Sequence, residues 1–328
     1  MIWWCTVPAR VLVARARVPG AARRGWTPPE SSVVPERSTR YVLAVLFGVL
    51  AGAFFGALAV MVRIALRSGA EPEVGAAIAA VTAFVTTAAL ALAAWSSVHP
   101  GQLWAFALVG MLVPGASQIL FVRSVRDAGP SRAAILIGTA PLISVLIALT
   151  LLDEPFHVAL VVGTVLVVAG GAALTQERVR PHDFRALGAA LALTCAVLFA
   201  VRDNLVRWVA RDQHPPPLVA AATSLLGGAV LLALYLVLVR RRGLARRLRA
   251  AAVPFAPVGI ALAGGYVCLL EAFSHGRVSV VAPLNATQSL WAVAVAAVVL
   301  GKAEAIGSRL VVASALIVAG GALIGVVR

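Results

Sequence analysis

Charge is scarce in this chain. Only 12% of its 328 residues are Asp, Glu, Lys or Arg, against about 25% in a soluble globular domain. Together with 61% hydrophobic residues and a mean hydropathy of +0.96, that scarcity excludes a water-soluble fold and implies a chain that crosses the membrane many times. Lysine is nearly missing, with Lys302 alone, so arginine carries almost all positive charge; this is a coding bias without chemistry of its own. The three cysteines, Cys5, Cys195 and Cys268, have no metal-type spacing, and two of them lie inside apolar runs, so neither a metal site nor a disulfide framework follows. HExxH, GxSxG and the P-loop are all missing, which leaves ATP-driven transport by this chain alone unsupported. No cofactor is expected.

What is present is apolar length. A spanning helix needs about 20 apolar residues, because a core of roughly 30 Å is crossed at about 1.5 Å per residue. Ten segments meet that requirement: 41–62, 73–94, 102–122, 132–152, 157–175, 186–209, 217–239, 253–273, 277–300 and 306–327. The stretches between them carry loop signals, among them "RDAGPSR", "DEPFH", "RDQHPPP" and "RRRGLARRLR". Residues 1–40 differ, with arginine, proline and short apolar scraps in alternation and no run long enough to span. They lack the continuous apolar region and small-residue cleavage site of a signal peptide. They read as a disordered tail, or as the result of a start codon placed too early, with the true start near Val33 or Val34.

The chain also repeats itself. "LLDEPFHVALVVGTVLVVAGGAAL" (151–174) and "GKAEAIGSRLVVASALIVAGGALI" (301–324) match at 10 of 24 positions without a gap, including Glu154 with Glu304. At an offset of 144, the small-residue stripe Ala44, Gly48, Gly52, Gly56 falls on Gly188, Ala192, Ala196, Ala200, and Arg63 falls on Arg207. Residues four apart share a helix face, so each stripe is a smooth strip that another helix can approach closely. "RSVRDAGPS" (123–131) falls on "EAFSHGRVS" (271–279) at an offset of 148. The expected fold is therefore an all-α integral membrane protein with ten transmembrane helices in two five-helix repeats, 41–175 and 184–327. Five is odd, so the second repeat must enter the membrane inverted relative to the first. Inverted repeats are a hallmark of secondary transporters that bind substrate near the midplane.

These residues resemble the drug/metabolite transporter superfamily, specifically its EamA-type ten-helix members. The resemblance covers about residues 41–327. It rests on "GVLAGAFFGALAVMVRIAL", on "SVRDAGPSRAAILIGTAPLISVLIALTLLDEP" and its partner "AFSHGRVSVVAPLNATQSLWAVAVAAVVLGKAE", and on the AGG ending of each half. The second half departs from the first in that Trp291 aligns with Pro141, and a proline stands earlier, at Pro283. The resemblance implies a central cavity lined mainly by the earlier helices of each half, with the fifth and tenth more peripheral. It implies no particular substrate, since the family spans amino acids, nucleosides, sugars, drugs and other metabolites.

A charge at mid-membrane costs roughly 2.5–3.5 kcal/mol on insertion scales, so each one demands a reason. "AVRDNLVRW" (200–208) holds the densest group. Asp203 and Arg207, four apart, suit an ion pair on one helix face. One reading makes Asp203 a proton-coupling carboxylate, with Arg202 and Asn204 as substrate contacts. The other makes this the interfacial end of a helix, its arginines snorkelling beside Trp208. Glu271 either couples to ion movement or pairs with His275 or Arg277 at the surface. Glu154 and Glu304 sit at helix ends and suit capping and orientation. Gln118, Asn285, Thr287, Gln288 and Trp291 are polar or amphipathic residues inside helices, able to line a cavity or to bond neighbouring helices.

The expected function is secondary active transport of a small metabolite or drug-like solute across a bacterial cytoplasmic membrane by alternating access, as an exporter, with proton or other ion coupling. The alternatives are a lipid-carrier flippase of the same architecture and a membrane-embedded enzyme acting on lipid-linked phosphate, for which "LEAFSHGR" (270–277) is the one candidate stretch. Partners are the solute and membrane lipids. The net charge of +15 does not point to nucleic acid, because the arginines lie between apolar runs and in the tail. Ten helices can close a cavity within one chain, so monomer and homodimer both fit. The arginine-rich loops favour both termini outside by the positive-inside rule, unless the seven arginines of the tail outweigh them. The resemblance implies cytoplasmic termini.

Overall fold

The computed structural model describes residues 36–92, 101, 103–151, 158–175, 185–209, 215–239, 243–276, 281, 284–301 and 307–326. Its helices, in chain order, are α1 (Glu36–Leu66), α2 (Pro72–Ala91), α3 (Trp104–Gly110), α4 (Ser117–Ala128), α5 (Pro130–Ile137), α6 (Ala140–Leu151), α7 (Val158–Thr175), α8 (Ala186–Val209), α9 (Pro217–Val239), α10 (Leu244–His275), α11 (Gln288–Val299) and α12 (Ser308–Val326). Prolines open α2, α5 and α9, where the missing N–H is one the helix would leave unbonded and the fixed φ already suits the first turn.

Among the described residues six helical stretches are long and apolar enough to cross a membrane: Thr39–Leu66, Pro72–Ala91, Trp104–Ala128, Ala186–Val206, Pro217–Val239 and Leu244–His275. Leu284–Val299 and Ser308–Leu323 are apolar but shorter. Large apolar side chains point away from the protein, with Val253 81% and Val298 86% exposed. Contiguous apolar surface of that kind is rare on soluble monomers and suits lipid.

Several expected boundaries move. α1 starts at Glu36, inside the stretch read as tail. "RSVRDAGPSR" is not a loop: α4 runs through Ala128, and a single residue, Gly129 at φ 90, turns the chain into α5. That φ is open to glycine and strained for other residues, which is why one residue makes the whole turn. "RRRGLARRLR" is likewise helical from Leu244 onward, extending α10 to 32 residues. The expected single helix over 132–152 is two, α5 and α6, parted at Gly138–Thr139. Pro141 cannot donate to the carbonyl of Ile137, and Thr139 turns its hydroxyl back to the Leu136 carbonyl at 2.7 Å. Glu154, Glu304 and Arg277, and the tail before Glu36, lie outside the described residues.

Helices pack in pairs that recur when the two halves are exchanged. α1 lies on α10 as α4 lies on α8; α2 meets α10 as α3 meets α9; α1 meets α11 as α8 meets α5 and α6; and α2–α9, α5–α11 and α7–α12 close the bundle. Small residues make these approaches possible, as in membrane helices generally, where packing replaces the hydrophobic drive. A Cβ on Gly56 would lie 2.6 Å from Trp291 Cβ and 2.7 Å from the Gln288 carbonyl oxygen. On Gly170 of the AGG motif a Cβ would lie 2.7 Å from Ile317, and on Gly320 it would lie 2.6 Å from the Gly163 carbonyl. The echo between 165–174 and 315–324 is therefore the contact between α7 and α12.

Candidate functional site

The third membrane segment is broken where the core needs an opening. Pro114 has no N–H to give, and its ring disfavours a helical conformation for the residue before it. Val113 accordingly leaves the helix (φ −139, ψ 112), and Met111–Ala116 winds as a wider π-type turn between α3 and α4. Irregular backbone at this depth is tolerable where it is buried in protein or lines a cavity.

A cavity of about 400 Å³, counting its open part, lies against this break. Val113, Pro114, Ser117, Gln118 and Phe121 form one wall. α1 contributes Phe55 and Leu58, α8 contributes Phe199 and Arg202, and α10 contributes Leu262 and Tyr266. Asn285 and Gln288 close the site beside the start of α11. None of the lining comes from α2, α7, α9 or α12 among the described residues.

Arg202 is the one charged side chain on this lining, and it is 4% exposed. Its counter-ion is the next residue. Arg202 Nε donates to Asp203 Oδ1 at 2.9 Å, and its Nη2 lies 2.8 Å from the same oxygen. Asp203 is 6% exposed and is not among the lining residues. The guanidinium is 5.1 Å from the Phe199 ring centroid and 5.8 Å from that of Tyr266, so two aromatic faces help hold it in place of water. A buried guanidinium of this kind does not snorkel to an interface. Trp208, six residues on, is 64% exposed and suits a lipid boundary.

Two side-chain atoms around the cavity, Gln118 Nε2 and Asn285 Oδ1, are buried without a hydrogen-bond partner, and the buried Tyr266 side chain lies against the Arg202 guanidinium. Orphaned buried polar atoms cost roughly 1–3 kcal/mol each. Their convergence on one space, beside an arginine, is the pattern of a site built to be filled.

The structure thus brings Gln118, Asn285 and Gln288 together with Arg202 and its partner Asp203. Asn204 stands elsewhere: its Nδ2 donates to Ser144 Oγ at 3.0 Å and to the Ala200 carbonyl at 2.8 Å, joining α8 to α6. Trp291 is 40% exposed, and its Cβ packs against Gly56, away from the cavity lining. Thr287 bonds back to the Leu284 carbonyl at 2.6 Å. Glu271 lies toward the end of α10, with His275 Nε2 3.6 Å from its carboxylate. Asp203 is bonded by its neighbour Arg202; the expected Asp203–Arg207 pair falls on an Arg207 side chain that lies outside the described ones.

Sequence inspection passed over Ser117, Tyr266 and the seven apolar lining residues Phe55, Leu58, Val113, Pro114, Phe121, Phe199 and Leu262. The repeat held the signal. At the offset of 144, Phe55 falls on Phe199 and Leu58 on Arg202; at 148, Pro114 falls on Leu262 and Gln118 on Tyr266. All eight line the cavity.

Other ion pairs gather where α2 begins and α4 ends. Arg123 bonds Glu73, Arg126 Nε lies 2.7 Å from Asp127, Arg63 donates to the Arg126 carbonyl at 2.9 Å, and Arg247 lies 3.3 Å from Glu71. The arginines of the expected loop are thus helix-end residues engaged in tying α1, α2 and α4 together. Among the described residues no cluster of His, Cys, Asp and Glu could hold a metal ion. Cys195 and Cys268 are free and buried.

The sequence profile described as "EamA-like transporter family" matches residues 42–175 and again 186–326. The comparison with curated proteins returned no match. A solved structure described only as "Crystal structure of protein" is similar at 25% identity with a TM-score of 0.58, the alignment covering 87% of this chain and 99% of that one.

Proposed function

The chain belongs to the EamA-like transporter family, a family of membrane transporters within the drug/metabolite superfamily, and from that premise we propose secondary active export of a small metabolite or drug-like solute across the bacterial cytoplasmic membrane. The observation that carries the reading is the central cavity, walled from both halves at repeat-related positions and edged by orphaned polar atoms. Its lining, mostly apolar and aromatic with a few convergent polar groups, is of the kind that small-molecule sites have.

Alternating access by two inverted five-helix repeats, 41–175 and 184–327, with ten crossings, is the mechanism this arrangement suits. Support comes from the family profile matching twice and from helix contacts that recur on exchange of halves. Rocking one half against the other would then bare Gln118, Asn285, Gln288 and Arg202 to each side in turn. Asp203 is the carboxylate best placed for proton coupling, since it shares Arg202 with the cavity; Glu271 is the second to test. One chain supplies every wall, so a monomer suffices and a homodimer adds nothing to the site.

Export is tested by comparing solutes in the medium of cells making the wild-type protein or Ser117→Trp, which fills the cavity. At least one small solute accumulates outside only with the wild type. Indistinguishable media would overturn export through this cavity. Topology is tested by single cysteines placed in 240–249 and at the C-terminus, in a background without Cys5, Cys195 and Cys268. Labelling from opposite sides supports an odd number of crossings between them, and same-side labelling overturns the ten-helix count. Proton coupling through these carboxylates fails if D203N and E271Q together leave the pH dependence of transport unchanged.

A further inference from the structure

The chemistry of the cavity narrows its substrate. Six groups on the lining can donate hydrogen bonds: the Arg202 guanidinium, the Gln118, Asn285 and Gln288 amides, and the Ser117 and Tyr266 hydroxyls. Gln118 and Tyr266 are more than nine-tenths buried; Gln118 Nε2 has no partner, and the Tyr266 hydroxyl, beside a guanidinium that can only donate, keeps its own proton to give. A carboxylate accepts bonds on two oxygens, with about four lone-pair sites, which matches these two donors together with Arg202. Asn285 Oδ1 is the one orphaned acceptor at the cavity, and it calls for a single donor elsewhere on the ligand. The rest of the wall is aromatic or aliphatic, which calls for an apolar body.

Charge settles the sign. Among the described residues the lining's one charged group is a cation, and its Nε and Nη2 both meet a single oxygen of Asp203, whose carboxylate is not on the lining. A cationic solute would face the guanidinium and not Asp203. A dianion would find no second cation on the lining, only the negative faces of aromatic rings. A monoanion fits, because its carboxylate can share or take over the guanidinium now held by Asp203.

We propose that the cavity takes small organic monocarboxylates with an apolar body, anchored by Arg202 with Gln118 and Tyr266, while Asp203 is the internal carboxylate with which the ligand competes. The inference rests on the cavity being the substrate site. It commits to a direction for each variant: loss of Arg202 weakens the anion, and loss of the Asp203 charge strengthens it.

The test uses three probes with one ring and different charge: benzoate, benzamide and benzamidinium. Binding is measured by calorimetry and by thermal shift on the purified full-length protein in nanodiscs. Benzoate binds at least about tenfold more tightly than the other two, the effect expected of a charge-assisted bond. R202Q removes that preference. D203N raises benzoate affinity, and benzoate stabilises D203N more than it stabilises the wild type, because the ligand supplies the missing counter-ion. Gln118→Leu, which leaves the ion pair in place, lowers benzoate affinity severalfold and serves if either charge variant fails to fold. The proposal is overturned if folded protein does not bind benzoate, if benzamidinium binds as well or better, or if the order of the probes survives R202Q. Leu262→Trp separates this failure from failure of the underlying site. If filling the cavity leaves benzoate binding intact, the cavity is not the site; if it abolishes binding of probes that show no preference for the anion, the cavity stands and the substrate class falls.

Discussion

The two halves of the cavity put the same positions to different chemical use. On α1 the repeat places Leu58 and Ala59; at the matching positions on α8 stand Arg202 and Asp203. Leu58 and Arg202 both line the cavity, between the equivalent phenylalanines Phe55 and Phe199. The third and eighth segments differ in the same way: Pro114 breaks the one, while Pro254 and Pro257 lie inside an unbroken α10. A duplicated scaffold thus supplies symmetric walls, and a few substitutions on one wall give the cavity a polar end and a direction. The other half carries Leu58 and Ala59 at these positions, so the scaffold itself does not call for the buried ion pair, and buried pairs often stabilise no more than apolar residues of similar size.

The sharpest way to break that comparison is to remove half of the pair. D203A leaves Arg202 buried without its counter-ion and is expected to cost about 3–5 kcal/mol in an unfolding titration in mixed micelles. Making the second half like the first, with R202L and D203A together, is expected to regain most of that loss. A double variant that stays as unstable as D203A would show that the pair is there for the fold.

The next effect concerns the helix stripes. Gly56→Ala pushes a Cβ into Trp291 and the α11 backbone, at an expected cost of about 1–3 kcal/mol. Ala200, its repeat partner, already carries a Cβ and is fully buried, so A200G is expected to cost only about 1 kcal/mol, mainly in helix propensity. Equal losses at the two sites would remove the difference between a glycine contact and an alanine contact. Asn204→Leu gives up the bond to Ser144 and is expected to lose about 0.6 kcal/mol, and at most about 1.7. Ser144→Ala should match it, and the two losses should not add. Least of all, E271Q alters a partly exposed pair and is expected to change stability by about 1 kcal/mol or less.

Much of this was legible in the sequence, and for identifiable reasons. The small-residue stripe of α1 announced a close contact because residues four apart share a face; its partner proved to be Leu284 and the α11 backbone. Gln118, Asn285 and Gln288 stood out because polar groups inside apolar runs need a purpose. Asn204 and Trp291 stood out on the same rule and serve packing instead, since a linear pattern gives the face of a helix and not which neighbour lies there. The bond between Asp203 and its neighbour Arg202 was not legible for the same reason: four-residue spacing on an isolated helix points to Arg207, whereas the packing of α8 against Tyr266 of α10 holds Arg202 beside Asp203. The helical course of "RSVRDAGPSR" and "RRRGLARRLR" was hidden because arginine and glycine resemble loop signals until their ion-pair and turn partners are known.

The sequence by itself determined the solvent and the architecture class. Apolar length with little charge leaves lipid as the only medium in which such segments are stable, and the duplicated pattern makes helix contacts recur when the two halves are exchanged. Only the tertiary structure decided the site. A cavity is the space left where side chains from α1, the broken third segment, α8, α10 and the start of α11 fail to meet. Which polar atoms remain unbonded around it depends on distances between residues far apart in the chain, and no periodicity within one helix encodes those distances.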